Sequence, residues 1–157
     1  MERDIRKLEL NLSFDENYGI LNRSGLLNFA RKQPRGIKRH VIFIDIDNLH
    51  ALNQQNGYEA MNNRLRAMFS IETRQSDCFI GKFFSGDEIL CVTGTKKQDA
   101  EAVLEKLKRA ATKNELSFTY ALGTWNTSEN LEREASKLAE KVLKIKSDHR
   151  KDVIKAS

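Results

Sequence analysis

The chain has 157 residues, 39% of them hydrophobic, a single proline and a net charge of +5. This length suffices for one well-buried domain and is too short for two comfortable ones. No run of about 18 apolar residues occurs and the first ten residues lack an apolar signal core, so neither a membrane span nor export is indicated and we expect a cytoplasmic protein. Two cysteines, Cys78 and Cys91, do not indicate a disulfide framework or a metal site, so we expect reduced, buried thiols.

The hydrophobic periodicity predicts helices and strands in a definite order along the chain. Capping residues, turn residues and apolar spacing set the expected boundaries. The predicted elements are a helix over 22–31 closed by Pro34 and Gly36, a strand over 41–46, a helix over 49–69 weakened at Gly57, a hairpin over 79–93, a helix over 99–111, a strand over 117–123 and a last helix capped by Ser128.

This order gives a β-α-β-β-α-β core preceded by one helix. Such a core is typical of a ferredoxin-like arrangement, in which the first strand lies beside the hairpin in one antiparallel sheet. We therefore predict an α+β, palm-like fold with an extra N-terminal helix and with helices on one face of the sheet. Residues 1–14 are expected to form a short arm, because leucines alternate along it, and residues 15–157 are expected to form a single domain.

Two acidic pairs interrupt strands that are otherwise apolar. Asp45 and Asp47 end the strand over 41–46, and Asp87 and Glu88 lie in the bend of the hairpin. Since the predicted fold brings this strand beside the hairpin, Asp45 should lie near Asp87. Hard cations prefer oxygen ligands, and Mg²⁺ usually takes one or two protein carboxylates together with substrate phosphates. The two pairs therefore predict a magnesium site that serves a nucleoside triphosphate.

Three ordered segments resemble the motifs of GGDEF-domain nucleotide cyclases. Residues 15–23 are similar to the DxLTGLxNR opening of that family, and residues 43–62 to its DxDxFKxxNDxxGHxxGD segment. The turn Ser85-Gly86-Asp87-Glu88-Ile89 is a variant of the signature itself. The resemblance covers residues 15 to 150 approximately and implies a magnesium- or manganese-dependent enzyme that condenses two nucleoside triphosphates into a cyclic dinucleotide.

The resemblance also implies roles for individual residues. Asp45 and Asp87 would be metal ligands, the carbonyl of Ile46 would complete a site for two cations, and Glu88 would lie beside the attacking ribose 3′-hydroxyl. The residues implied in nucleotide binding are Asn48, Leu49, His50, Asn53, Asn62, Ser85, Gly86, Lys146 and Arg150. His50 stands where the family has a phosphate-binding lysine, so triphosphate binding should depend more on Lys146 and Arg150.

Base selectivity is expected to differ from that of diguanylate cyclases. Where the family reads guanine with asparagine and aspartate, this chain has Asn53 and Asn62. An aspartate accepts two hydrogen bonds and suits guanine, whereas an asparagine offers one donor and one acceptor, which suits adenine. We therefore hypothesise that ATP is a substrate, alone or with GTP. Polarity of a solvated helix surface is the alternative interpretation of both asparagines.

A possible product-inhibition site begins at Arg74 and ends at Asp77, an RxxD pattern placed two residues farther from the signature than usual. A solvated loop before the hairpin is the favoured interpretation, because a four-residue pattern with two fixed positions has low specificity.

The resemblance predicts a stand-alone domain without a sensor, similar also to minimal CRISPR polymerases of the same palm superfamily. Each such site holds one triphosphate, which implies a homodimer during catalysis and a separate effector for the product. Two other functions remain open. A degenerate domain would bind nucleotide without turnover, and a basic module would bind nucleic acid through the lysines of the last 21 residues.

Overall fold

The computed structural model of the chain describes residues 13–71, 78–83 and 87–156. These described residues contain six strands and five helices. In chain order they are β1 (Phe14–Asp15), β2 (Ile20–Leu21), α1 (Arg23–Arg31), β3 (Lys38–Ile46), α2 (Leu49–Asn56), α3 (Tyr58–Phe69), β4 (Phe79–Lys82), β5 (Glu88–Val92), α4 (Lys97–Lys113), β6 (Phe118–Asn126) and α5 (Leu131–Ala156).

The strands form one sheet in the order β1-β2-β4-β5-β3-β6. The four long strands pair antiparallel, with β3 between β5 and β6, as the ferredoxin-like prediction requires. The sheet as a whole is mixed, because β2 pairs parallel with β4 through Leu21 and Gly81. The predicted α+β, palm-like fold is confirmed.

Each face of the sheet carries its own hydrophobic core, because successive side chains of a strand point to opposite faces. Ile42, Ile44 and Ile46 of β3 pack with α3 and α4 on one face. Val41 and Phe43 pack with α1 and α5 on the other. The helices α3 and α4 of the predicted core thus share one face, and α1 and α5 cover the other.

Several boundaries differ from the sequence-based expectations. The helix over 49–69 is two helices, since Gly57 has a φ of +84° that breaks the hydrogen-bonding pattern. The expected cap at Ser128 is wrong: α5 begins at Leu131, and the side chain of Asn130 accepts hydrogen bonds from the amides of Glu132 and Arg133. Strands β1 and β2 were not predicted, because two-residue strands carry no periodicity. The predicted arm lies largely outside the described residues, although Phe14 belongs to β1.

Neither cysteine forms a disulfide. Cys91 is fully buried and Cys78 half-buried, and burial raises the pKa of the Cys91 thiol well above its ordinary value. Cys91 is buried as predicted, whereas Cys78 is only partly so. Within the described ranges, no helix combines the length and apolarity that crossing a membrane requires.

Candidate active site

The predicted acidic residues meet at one end of the sheet. Antiparallel pairing of β3 with β5 sets Asp45 directly opposite Glu88. Asp87 precedes Glu88, and its carbonyl accepts a hydrogen bond of 3.5 Å from the amide of Ile46. Three carboxylates from distant parts of the sequence therefore share one edge of the molecule, and the backbone of the last β3 residue is tied to the hairpin.

Crowding of these carboxylates changes their protonation equilibria. Burial raises the pKa of Asp87, and the charge of Asp45 raises it further, while Lys82, Lys146 and His50 act in the opposite direction. Burial, and then Asp45 and Asp87, raise the pKa of Glu88 against the effect of Lys146. Like charges held together in a partly buried position favour the binding of a proton or a cation. Carboxyl groups whose pKa is raised by burial and by neighbouring negative charge are common in catalytic sites.

Lys146 reaches this acidic end from helix α5. Its Nζ lies 3.1 Å from Asp45 Oδ2 and 3.3 Å from Asp47 Oδ1. The helix crosses the face of the sheet on which Asp45 points, because Asp45 alternates with Val41 and Phe43, which pack against α5. The lysine predicted to bind phosphate therefore forms ion pairs with Asp45, one of the predicted catalytic carboxylates, and with Asp47.

Asp47 has a different environment from Asp45. The hydroxyl of Ser117 donates to its Oδ2 at 3.0 Å, and the hydroxyl of Thr119 donates to its Oδ1 at 2.8 Å. Its backbone amide also donates to the carbonyl of Ser117 at 2.9 Å. These contacts fasten the loop after β3 to the start of β6.

A second cation approaches from the other side of the hairpin. Lys82 Nζ lies 2.9 Å from Asp15 Oδ2 and 3.9 Å from the centre of the Tyr18 ring. Burial opposes ionisation of Asp15, but hydrogen bonds from Lys82 and from the Tyr18 amide outweigh it and lower the pKa of that carboxyl. Burial, together with the charges of Asp87 and Asp15, raises the pKa of Tyr18 to about 12. The opening motif thus contacts the strand that leads into the signature turn.

The loop between β3 and α2 carries three of the predicted nucleotide-binding residues. Asn48 has a φ of +55°, in the left-handed region that asparagine tolerates better than most residues. Leu49 is buried and anchors the first turn of α2. His50 is exposed, and its Nε2 lies 3.2 Å from Nε2 of Gln54. Leu49 therefore supports this loop from within, and His50 lies at its surface.

The two asparagines proposed to read the base lie on adjacent helices, Asn53 on α2 and Asn62 on α3. Both are half-buried, and within the described part of the chain neither side-chain amide makes a hydrogen bond. Gly57, between the two helices, would meet no atom within 4 Å if it carried a side chain. Its positive φ, rather than close packing, therefore favours glycine at this junction.

Five predicted residues have no described side chain. Ser85, Gly86, Arg74 and Asp77 lie outside the described residues, and Arg150 is described only as part of helix α5. Their roles in nucleotide binding and product inhibition stay predictions.

A cavity of about 800 Å³ adjoins the acidic end beside Lys146. Its walls come from the loop after β3, the start of β6 and the last turns of α5, and its lining residues are Asp47, Asn48, Ser117, Phe118, Thr119, Tyr120, Ile145, Lys146 and His149. The cavity lies on the side of Asp47 and away from the two asparagines, neither of which lines it.

The donor set suits a hard cation that brings further ligands with it. In residues 13–71, 78–83 and 87–156, no three His, Cys, Asp or Glu side chains converge tightly enough to form a metal site alone. Mg²⁺ commonly uses one or two carboxylates and takes its other ligands from water and phosphates. Asp45 and Asp87, at adjacent strand ends with crowded negative charge, fit that requirement.

Three contacts of this site were not predicted from the sequence. They are the pairing of Lys82 with Asp15, the hydroxyl bonds to Asp47, and the contact of Lys146 with the carboxylates. A hydroxyl-rich start to the last strand was visible at Ser117 and Thr119, but its register against β3 was not. Phe83, at the end of β4, is fully buried, and the neighbouring Lys82 supplies a positive charge close to Asp15.

No protein-family model matches the chain, and no curated protein matches it significantly. Solved structures do. One is a microbial GGDEF domain described with cyclic di-GMP, with 22% identity, a TM-score of 0.69 and coverage of 86% of this chain and 92% of that one. Another is the GGDEF domain of DgcB from Caulobacter crescentus in complex with c-di-GMP, with 14% identity, a TM-score of 0.69 and coverage of 87% and 89%.

A third is the diguanylate cyclase SiaD of Pseudomonas aeruginosa in complex with its activator SiaC, with 23% identity and a TM-score of 0.69. The match covers 94% of this chain and 64% of SiaD, so the chain spans slightly less than two thirds of that protein. These likenesses show that the chain has the fold of a GGDEF domain. The similarity to minimal CRISPR polymerases stays a prediction.

Proposed function

We propose that this chain, which has the fold of a GGDEF domain, is a metal-dependent nucleotidyltransferase that joins two nucleoside triphosphates into a cyclic dinucleotide. The observation that carries the proposal is the register of β3 and β5, which sets Asp45 opposite Glu88 and beside Asp87. Packing alone would not bring three carboxylates together, because their mutual repulsion destabilises the folded state. Recruitment of a cation for phosphoryl chemistry gives a reason for the arrangement.

In the proposed reaction, the 3′-oxygen of each nucleotide attacks the α-phosphorus of the other, and at each α-phosphorus the bond to the bridging oxygen of the β-phosphate breaks. Two phosphodiester bonds form and two pyrophosphates are released. Asp45, Asp87 and the carbonyl of Ile46 would hold Mg²⁺ or Mn²⁺, which when bound stabilises charge on the attacking and leaving oxygens. Glu88 would accept the proton of the 3′-hydroxyl, since a carboxylate with a raised pKa binds that proton more strongly.

The triphosphate would lie along the loop after β3, toward the cavity beside Lys146. Lys146, Arg150 and His50 would supply its cationic contacts. The backbone of Asn48, Leu49, Ser85 and Gly86 would approach the phosphates, where small residues and exposed amides suit close contact.

The base would bind between α2 and α3 at Asn53 and Asn62. An asparagine in place of aspartate lacks the second acceptor that guanine needs, so adenine should be accepted. Asn62→Asp should shift preference toward GTP by about tenfold to a hundredfold, the effect of one mismatched buried polar group. Competition between ATP and GTP with product analysis measures this shift, and unchanged preference would contradict base reading by Asn62.

Two subunits would have to face each other in catalysis, because each proposed site holds one triphosphate. We accordingly propose a homodimer formed with substrate and a separate cyclic-nucleotide effector. A cytoplasmic location is part of this proposal, whereas product inhibition through Arg74 and Asp77 is not.

The decisive experiment incubates purified protein with each triphosphate alone and in pairs, with Mg²⁺ or Mn²⁺, and identifies products by mass spectrometry. We expect pyrophosphate and an adenine-containing cyclic dinucleotide. Asp87→Asn should abolish product, whereas Lys144→Met, an exposed lysine of α5, should not. Products containing only guanine would refute the base assignment and leave the reaction class intact.

A nucleotide or cyclic-dinucleotide binding module is the second candidate. Its supporting observation is the ion pair of Lys146 with Asp45, which neutralises a proposed metal ligand without any metal. Micromolar or tighter binding by calorimetry, without turnover for any nucleotide pair, would favour this function over the first.

Nucleic-acid binding receives less support. Lys146 faces Asp45 and Asp47, and Lys137 pairs with Glu134 at 3.3 Å, which leaves fewer cations on the outer surface of α5. A strongly salt-dependent affinity for oligonucleotides would overturn this judgement.

A further inference from the structure

The ammonium of Lys146 occupies space that a cation bound to Asp45 would need. Its Nζ is 3.1 Å from Asp45 Oδ2, and the lysine side chain is only 20% exposed. A divalent cation would bind the same oxygen at about 2.0–2.1 Å and would repel an ammonium beside it. Lysine and metal therefore compete for Asp45.

Asp47 determines where Lys146 lies. Its two carboxylate oxygens accept hydrogen bonds from the hydroxyls of Ser117 and Thr119, which fix the group against β6 but do not neutralise its charge. Lys146, at 3.3 Å from Oδ1, supplies the neutralising charge. A carboxylate anchored in this way holds the ammonium beside Asp45 and has little capacity left for a metal ion.

The cavity beside Lys146 offers the ammonium another position. About 800 Å³ of space is lined by Lys146 itself and by His149. Lysine carries a compact charge on a flexible four-carbon stem, so the group can move from the carboxylates to a phosphate without movement of the helix.

We propose that Lys146 is the resident counter-ion of the acidic end and that Asp47 is the positioning residue that holds it there. The ammonium leaves Asp45 for the triphosphate when a nucleotide arrives with its divalent cation. This inference rests on the proposed function, and it predicts that the site binds a divalent cation weakly alone and well with a triphosphate. Lys146 thus opposes binding of a divalent cation when no nucleotide is bound and favours it when a triphosphate is present.

The test measures Mn²⁺ binding by the electron paramagnetic resonance signal of the free ion, on the full chain and without nucleotide. Lys146→Met should raise Mn²⁺ affinity about tenfold over the wild type, because a charge-assisted contact to Asp45 no longer has to be broken. Lys144→Met, an exposed lysine two positions away on the same helix, should leave the affinity within twofold. Circular dichroism verifies that each variant is folded.

The same titration is repeated with an ATP or GTP analogue that carries a methylene group between the α- and β-phosphorus. In its presence, Lys146→Met should have the opposite effect on binding. Lys146→Met should then weaken binding of the Mn²⁺-analogue complex about tenfold, since the triphosphate loses a cation. In the Lys146→Met background, Asp47→Asn should change Mn²⁺ affinity by less than about threefold, whereas Asp45→Asn should abolish binding.

Equal Mn²⁺ affinity of the nucleotide-free wild type and Lys146→Met would overturn the inference, as would loss of Mn²⁺ binding through Asp47→Asn in the Lys146→Met background. Either result would leave the proposed function standing if Mn²⁺ still bound with the analogue in a manner that required Asp45. Absence of Mn²⁺ binding even with the analogue would overturn both.

Discussion

The charged side chains at the two ends of strand β3 have opposite surroundings. Near its start, Arg39 is 7% exposed, its Nε donates to the carbonyl of Thr93 at 2.8 Å and its Nη1 donates to Gln33 Oε1. Its guanidinium also lies 5.6 Å from the centre of the Phe79 ring. Near its end, Asp45 faces Glu88 and raises the pKa of that carboxyl.

The buried charge of Arg39 stabilises the fold, whereas the carboxylate charges at the other end of β3 destabilise it. A buried guanidinium with satisfied donors adds to stability through hydrogen bonds and ring contact. Opposed carboxylates at adjacent strand ends cost stability unless a cation joins them. Within this one strand, Arg39 contributes to folding, whereas Asp45 contributes to the proposed chemistry.

The largest effect expected at the acidic end is on turnover. Under the proposed function, Asp45→Asn should reduce pyrophosphate release at least about 10³-fold, because a neutral amide would replace a proposed metal ligand. The fold should persist, since Asp45 is partly exposed and no apolar contact is removed. Glu105→Gln, an exposed carboxylate on α4, serves as the control. Activity within tenfold of the wild type would show that Asp45 is not part of the reaction.

The largest effect expected at the other end is on stability. Arg39→Met should lower the free energy of unfolding by about 3 kcal/mol, the loss of two hydrogen bonds from a buried charged group. Urea denaturation measures it, with Arg109→Met on the exposed face of α4 expected to stay within about 0.5 kcal/mol. Turnover per folded molecule should be unchanged. A loss below 1 kcal/mol would remove the contrast between the two ends.

Replacement of a crowded carboxylate should stabilise the protein. The folded state raises the pKa of Glu88 above its ordinary value of 4.5, so the stability that this proton brings is present below about pH 4.5 and is lost as pH rises through the raised pKa. At pH 7 the ionised Glu88 is therefore unfavourable, and Glu88→Gln should add about 0.5 kcal/mol after allowance for solvent screening. Urea denaturation at pH 7 and pH 4 should show this gain shrinking toward acid. A larger increase in the free energy of unfolding at pH 4 than at pH 7 would contradict this expected pH dependence.

The smallest expected effect concerns the pKa of Tyr18, which is raised by burial and by the nearby charge of Asp87. The difference in alkaline absorbance titration between wild type and Tyr18→Phe should place the pKa of Tyr18 at about 12. Since the unfolded chain loses this proton near 10, stability should fall as pH rises from 10 through about 12. Asp87→Asn should lower the pKa of Tyr18 in the same titration. A midpoint near 10 in the wild type would show that burial and neighbouring charge do not act on this phenol.

Much of the fold could be predicted because its long elements carry strong periodicity. The strand over 41–46, the hairpin and the helix over 99–111 all appear within a few residues of expectation. Strands β1 and β2 could not be predicted, since their pairing depends on the tertiary position of β4. The expected helix start at Ser128 was wrong because Ser128 lies in a turn, where Asn126 accepts a hydrogen bond from its amide.

The candidate site likewise contains some residues that could be predicted from the sequence and others that could not. Asp45, Asp87 and Glu88 were identified from the sequence because charge at the end of an apolar strand has no packing reason to be there. The part played by Asp47 could not be seen, since it depends on hydroxyls that β6 brings from the other end of the domain.

By itself, the sequence determined which faces are apolar, where the strands end in charge and which helices flank them, because these features follow from local periodicity. The tertiary structure alone decided that Glu88 lies opposite Asp45, that Lys146 pairs with Asp45 and Asp47, and that Lys82 pairs with Asp15. The physical reason is that charge interactions depend on distance in space. Sheet register and the path of α5 set those distances, and neither can be read from neighbouring residues.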